Sequence, residues 1–252
     1  MKHKVKVTVI DKKLYPELQK QYLVTPICQM LLLFASAFII AIGCISCSAP
    51  ETNSTKVVYF GKYPQGKTDA TPSPIEWMVL DEKDGNTLLV TAKVIDSKPF
   101  HNQQIPVTWD NCDLRTWLNR EFYNIAFSPE EQSAIASSEV TADKNPRFDT
   151  PVGKTTQDKV FLLSYQECLN YMPQDKDRKC FPTEYAISRG CYINTDGHAA
   201  WWLRSNGMSE TEPEHLATWG NFSLRHHYVD DPILGDRPAI RVNSAYLEKH
   251  QD

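Results

Sequence analysis

The residues of this chain best equipped for chemistry are aromatic rings set beside polar groups. Trp202, Trp219 and Tyr228, with Arg204, Asn221 and His226 nearby in sequence, combine flat apolar area with oriented donors, which is how sugars and peptides are bound. Trp201-Trp202-Leu203-Arg204 reads at period two, so Trp201 and Leu203 share one face, and Trp202 and Arg204 the other. The second face either closes a further packing layer or forms a recognition surface. Trp77, Trp117 and Trp201 read as core. His226 and His227, with His198, Glu214 and His215, are possible metal ligands. Adjacent histidines on a strand point to opposite faces, so the run reads as solvated loop and no metal is expected. Asn194-Thr195-Asp196-Gly197 lacks the later acid of a calcium loop and reads as a turn. There is no Gly-x-Ser-x-Gly, no His-Glu-x-x-His and no glycine-rich phosphate loop. No catalytic residue or cofactor is therefore expected.

Sulfur is the other reactive element. Cys112, Cys168, Cys180 and Cys191 come after the leader, and no two of these four are spaced as Cys-x-x-Cys, which disfavours a zinc knuckle there. In an oxidising compartment Cys180 and Cys191 bracket a short segment and are the expected disulfide. Cys112 and Cys168 are as readily buried thiols.

Location is written more clearly. Residues 1–29 hold six lysines and two acids, +4; the chain totals −4, leaving −8 for the remainder. An acidic body without a basic cluster argues against nucleic acid. No charge falls between Gln21 and Pro50, and the apolar core of residues 30–43 is shorter than the roughly 20 residues a spanning helix needs. It fits the apolar region of a signal peptide. Ala41-Ile42-Gly43-Cys44 resembles a bacterial lipobox, with Cys44 the lipidated residue; a plain N-terminal anchor is the alternative. Either way the membrane is a partner, and the body is expected in the cell envelope, outside the cytoplasm.

These residues need a scaffold. The leader is 1–50, a polar tether 51–56, a single domain 57–245 and a polar tail 246–252. Val57–Phe60 reads as a strand. Ile75–Leu80 and Thr87–Ala92 flank Asp84-Gly85 and read as a hairpin. Leu114, Trp117, Leu118, Phe122 and Ile125 make one helical stripe. Ser128-Pro129-Glu130-Glu131 and Ser164-Tyr165-Gln166-Glu167 are capping boxes, and Pro182–Gly190 is a fourth short helix. Residues 141–158 read as loop, with strands near 200–205, 215–219, 224–229 and 237–242. The first and last of those four are expected to form the spine. The fold class is α+β: one mixed or antiparallel-sheet domain with about four short helices.

Phe60-Gly61-x-Tyr63-Pro64-Gln65, Ile75-Glu76-Trp77-x-Val79-Leu80, Leu114-Arg115-x-Trp117-Leu118-Asn119, Val160–Ser164, Trp201–Ser205 and Arg237-Pro238-Ala239 recur in this order. Together they resemble a bacterial exported family catalogued as a domain of unknown function, number 6273, over roughly 57–245. That resemblance brings no activity. Pro182-Thr183-Glu184-Tyr185-Ala186 and Arg237-Pro238-Ala239-x-Arg241-Val242 also resemble the C-type-lectin-like fold of sulfatase-modifying enzymes, implying a loop-rich binding face. Their late reactive cysteine pair has no counterpart after Cys191. The reading is an exported, lipid-anchored domain binding a glycan or protein without catalysis; the alternative is an envelope enzyme with a loop-built site.

Overall fold

The Asp84-Gly85 turn sets the first sheet. Both residues have positive φ (52° and 72°), the conformation of the two-residue turn whose twist matches its flanking strands. It joins β2 (Pro72–Lys83) to β3 (Asn86–Thr91), with Lys83 opposite Asn86. In the computed structural model, which describes residues 56–67, 71–225 and 227–250, this hairpin belongs to a five-stranded sheet. Its order is β1-β2-β3-β11-β7, with β1 Val57–Pro64, β7 Val160–Phe161 and β11 Ala239–Asn243. A four-stranded sheet, β4-β10-β8-β9, holds β4 (Asp96–Ser97), β8 (Trp201–Ser209), β9 (Glu212–Leu216) and β10 (Gly235–Asp236). A small pair joins β5 (Ser138–Val140) to β6 (Thr156–Asp158), the latter inside the stretch expected to be loop. The class is mixed α+β. These residues lie in one unit, Thr52–Asp252. The leader, Cys44, residues 51–55 of the tether, His226 and the last two residues of the tail fall outside the described residues.

The helices form where their caps sit. Ser128 caps α3 (Pro129–Ala134): its Oγ accepts from Glu131 N while the Ser128 N–H donates to Glu131 Oε2 at 2.8 Å. Glu131 Oε1 also accepts from Gly61 N at 3.0 Å, tying the helix to β1. Ser164 and Glu167 repeat the device on α4 (Tyr165–Tyr171). Thr183 caps α6 (Glu184–Ser188), which ends before Gly190 at φ 108°. Short helices α5 (Asp175–Arg178) and α7 (Ser244–Lys249) carry no apolar periodicity to mark them. The expected stripe helix is broken into α1 (Asp113–Trp117), a π-helical turn Leu118–Phe122 and α2 (Tyr123–Ala126). The extra residue in the wide turn rotates the next helical turn by about 100°. Leu114, Leu118 and Phe122 stay buried, whereas Ile125 turns out to solvent.

Two sequence expectations need correcting. The segments 200–205 and 237–242 lie in different sheets, joined through β10, where Gly235 pairs in parallel with Trp201. No strand forms at 224–229 among the described residues. Ser223 Oγ accepts from Arg225 N and donates to Arg225 O, a local turn that outcompetes a ladder.

Candidate functional site

The face shared by Trp202 and Arg204 is interior, which corrects the reading of these two as an exposed recognition surface. Every residue from Trp201 to Gly207 is buried. Trp201 packs beneath the Arg237 guanidinium, 4.8 Å from its ring centroid, and donates to Arg178 O. Trp202 stands edge-on to Phe100 and His215 and donates to Lys98 O at 3.0 Å. Arg204 donates to Leu162 O at 2.8 Å and pairs with Glu167 and Asp143. Alternation tells which residues share a face; it cannot tell that residues 98–100 and 141–167 cover it.

Trp219 and Tyr228 remain on the surface, each about half exposed, but apart. Tyr228 precedes Val229, whose N–H donates to Thr211 O at the start of β9; Trp219 lies past Leu216 at its other end. A strand of that length spans roughly 15 Å. Asn221 is half-buried, its amide donating to Phe222 O.

Trp219 sits in company that sequence patterning does not disclose. Lys179 Nζ lies 5.8 Å from its ring centroid. Two residues on, Phe181 is 54% exposed, beside 51% for Trp219. Cys180 between them bridges Ala199, so the segment is extended and Lys179 and Phe181 project to the same side. The Phe181 ring lies on His198, centroids 4.3 Å apart and 32° between planes. The turn carrying Trp219 is pinned from below. Gly220 has φ 83° and a Cβ there would collide with the Asp175 carbonyl, while Arg178 Nε donates to Gly220 O at 2.7 Å. The result is a shallow platform of two exposed rings, an ammonium and an imidazole. Lys179-x-Phe181 followed by Trp219-Gly220 is the available signal; nothing in the sequence joins the two.

The four cysteines among the described residues are free, buried thiols, so the expected Cys180–Cys191 disulfide is not formed in this structure. Cys180 Sγ turns to Ala92 O at 3.4 Å, and Cys191 Sγ lies against Gly235. Burial, then the neighbouring Asp236 and Cys180, pushes the Cys191 thiol up to about 12.

Two carboxylates do converge, but inside. Asp96 and Asp236 face each other in the β4–β10 register, 1% and 0% exposed. Asp96 accepts from the Tyr63 hydroxyl at 2.7 Å and from Ser97 N at 2.8 Å. Neither Asp236 oxygen has a well-formed hydrogen bond, the Lys98 N–H offering only a weak contact. Burial raises both acids above the usual carboxylate range, and for Asp236 the Asp96 charge adds to it. Sealed from solvent, the pair offers substrate no approach. His227 is held by Asp231 at 2.6 Å and meets His215 edge-on at 4.9 Å. Among the described residues no group of three or more His, Cys, Asp or Glu is placed to hold a metal ion.

A family model described as Domain of unknown function (DUF6273) matches residues 84–243. No curated protein and no solved structure matches the chain.

Proposed function

The chain belongs to the DUF6273 family, and from that premise we propose that it is an exported, lipid-anchored bacterial surface domain that binds a glycan without catalysis. The observation that carries this reading is the platform of Trp219, Lys179, Phe181 and His198. Large rings left half exposed beside oriented donors suit a pyranose, whose apolar face stacks while its hydroxyls find the donors. The leader supports the location: its apolar core of residues 30–43 is followed directly by Cys44, and a lipid there would hold the body on the membrane through the short tether. The buried Asp96–Asp236 pair lends nothing to an enzymatic reading, since acid–base catalysis needs those groups within reach of substrate.

The test is a glycan array probed with the full chain and with Trp219→Ala and Phe181→Ala. The platform reading expects a bound glycan, lost in both variants while their melting temperatures stay near wild type. Binding unchanged in Trp219→Ala, or no glycan bound and a protein ligand found instead, overturns it. Mass spectrometry of the native N-terminus tests the anchor separately. An acylated Cys44 as first residue is expected, and an intact Met1 refutes it.

A further inference from the structure

A groove on another part of the surface carries opposite charges that do not meet. It runs between residues 98–102 and the helical stretch 113–122, encloses about 260 Å³, and is lined by Lys98, Asn102, Asp113, Thr116, Trp117 and Glu121, among others. Asp113, Trp117 and Glu121 are spaced by four and so share one helix face. The π-helical turn Leu118–Phe122 lies at the groove wall, and such turns recur at functional sites. Trp117, expected in the core, is half-buried: it packs against the core beside Phe122 and also lines this groove.

The groove's polar groups are of three kinds. Lys98 Nζ rests over the Trp117 ring, 4.8 Å from the centroid, and makes no ion pair among the described residues. Glu121 is exposed and makes none among them either. Asp113 is fixed in place: its Oδ2 accepts from Asn102 N at 2.9 Å and Asn102 Nδ2 at 2.7 Å, with His101 Nδ1 at 3.0 Å. All three contacts fall on one oxygen, and Oδ1 makes no hydrogen bond or ion pair among the described residues.

From this we infer that the groove is a binding site for a free α-amino acid, its carboxylate on Lys98 and its ammonium between Glu121 and Asp113. Lys98 and Glu121 line one small cavity yet stay farther apart than an ion pair, so a ligand carrying both charges can bridge them. A neutral sugar or an apolar side chain would cover both charges without compensating either, and a charge taken out of water unpaired is costly. A zwitterion satisfies both ends through charge-assisted hydrogen bonds. Its side chain then lies along the exposed part of the Trp117 ring and Leu114. The site shares no residue with the Trp219 platform, so it stands or falls separately.

The test is isothermal titration of the full chain with a panel of free L-amino acids. The best binder is then compared with its N-acetyl derivative, which keeps only the carboxylate, and its amide, which keeps only the ammonium. Either change should weaken binding at least about tenfold, as expected for losing one charge-assisted contact. Glu121→Gln should lose a similar factor with a wild-type melting temperature. Lys98→Met should lose a similar factor too, with a melting temperature lowered only slightly, since the Lys98 charge also acts on the buried Asp96 and Asp236. Equal affinity for the blocked derivatives, binding unchanged in Glu121→Gln, or no amino acid bound at millimolar concentration overturns the assignment.

Discussion

Asp96 and Asp236 stand opposite each other on β4 and β10, two buried carboxylates whose nearest paired cation among the described residues is Arg189, its Nε 3.7 Å from Asp96. Water solvates such charges far better than a protein interior does, so folding raises both pKa values. A group whose folded pKa lies above its unfolded one favours folding fully below the unfolded pKa, near 3.9 for Asp. That contribution is lost as pH rises through the folded value. Asp236→Asn keeps the shape and removes the titration. The variant should match wild type near pH 4 and become more stable than it by about 1–3 kcal/mol at pH 8. Melting curves of the two proteins across this range check it; a gap that narrows as pH rises would contradict the burial argument.

The thiols should be inert while the fold holds. Cys112 and Cys191 are pushed up to about 12, chiefly by burial, and Cys168 and Cys180 are raised for the same reason. Since the thiolate is the nucleophile, iodoacetamide at pH 8 should leave all four unmodified in native protein and alkylate all four in guanidinium. Peptide mapping reads the outcome. Rapid native labelling of Cys191 would mean that its neighbourhood opens locally.

Residues 201–204 show what patterning can and cannot tell. The strand, its alternation and the burial of Trp201 and Leu203 are legible, as are the Asp84-Gly85 hairpin and the Ser128 and Ser164 caps, because each rests on local chemistry. The cover over Trp202 and Arg204 is not, since it comes from Phe100, Glu167 and Asp143, remote in sequence and in segments with no periodicity. The Trp219 platform stays hidden for the same reason: Trp219 is brought beside Lys179 by the packing of Gly220 on residues 175–179, which are remote in sequence. Trp201→Ala and Trp202→Ala should therefore be about equally damaging, each near 3–5 kcal/mol by cavity formation. Side-by-side thermal melts decide it, and a Trp202→Ala protein melting near wild type would return that ring to the surface.

The polar stretch 141–158 reads as loop in the sequence; its end pairs as β6, Thr150 donates to Gly207 O, and its first part is anchored on one acid. Glu214 on β9 is buried and accepts from Asn145 Nδ2 at 2.7 Å and from Arg147 Nη1 at 3.1 Å. Arg147 Nη2 also donates to Ser223 O at 2.9 Å, and Asn145 Nδ2 lies 3.1 Å from Asn206 O. The loop thus clamps β9, its neighbour β8 and the turn at Ser223 together. Burial alone raises Glu214, and Asn145 and Arg147 work against that rise. Removing the cation strands the carboxylate, a loss of about 3–5 kcal/mol when nothing else compensates. Because Asn145 remains, Arg147→Ala should cost nearer the low end of that range. Glu214→Gln keeps an acceptor for both partners and should cost less. Limited proteolysis gives a second readout: Arg147→Ala should be cut within 141–155 under conditions where wild type is not. Equal protease resistance, with a melting point unchanged, would show that the loop is held by its backbone contacts and not by the ion pair.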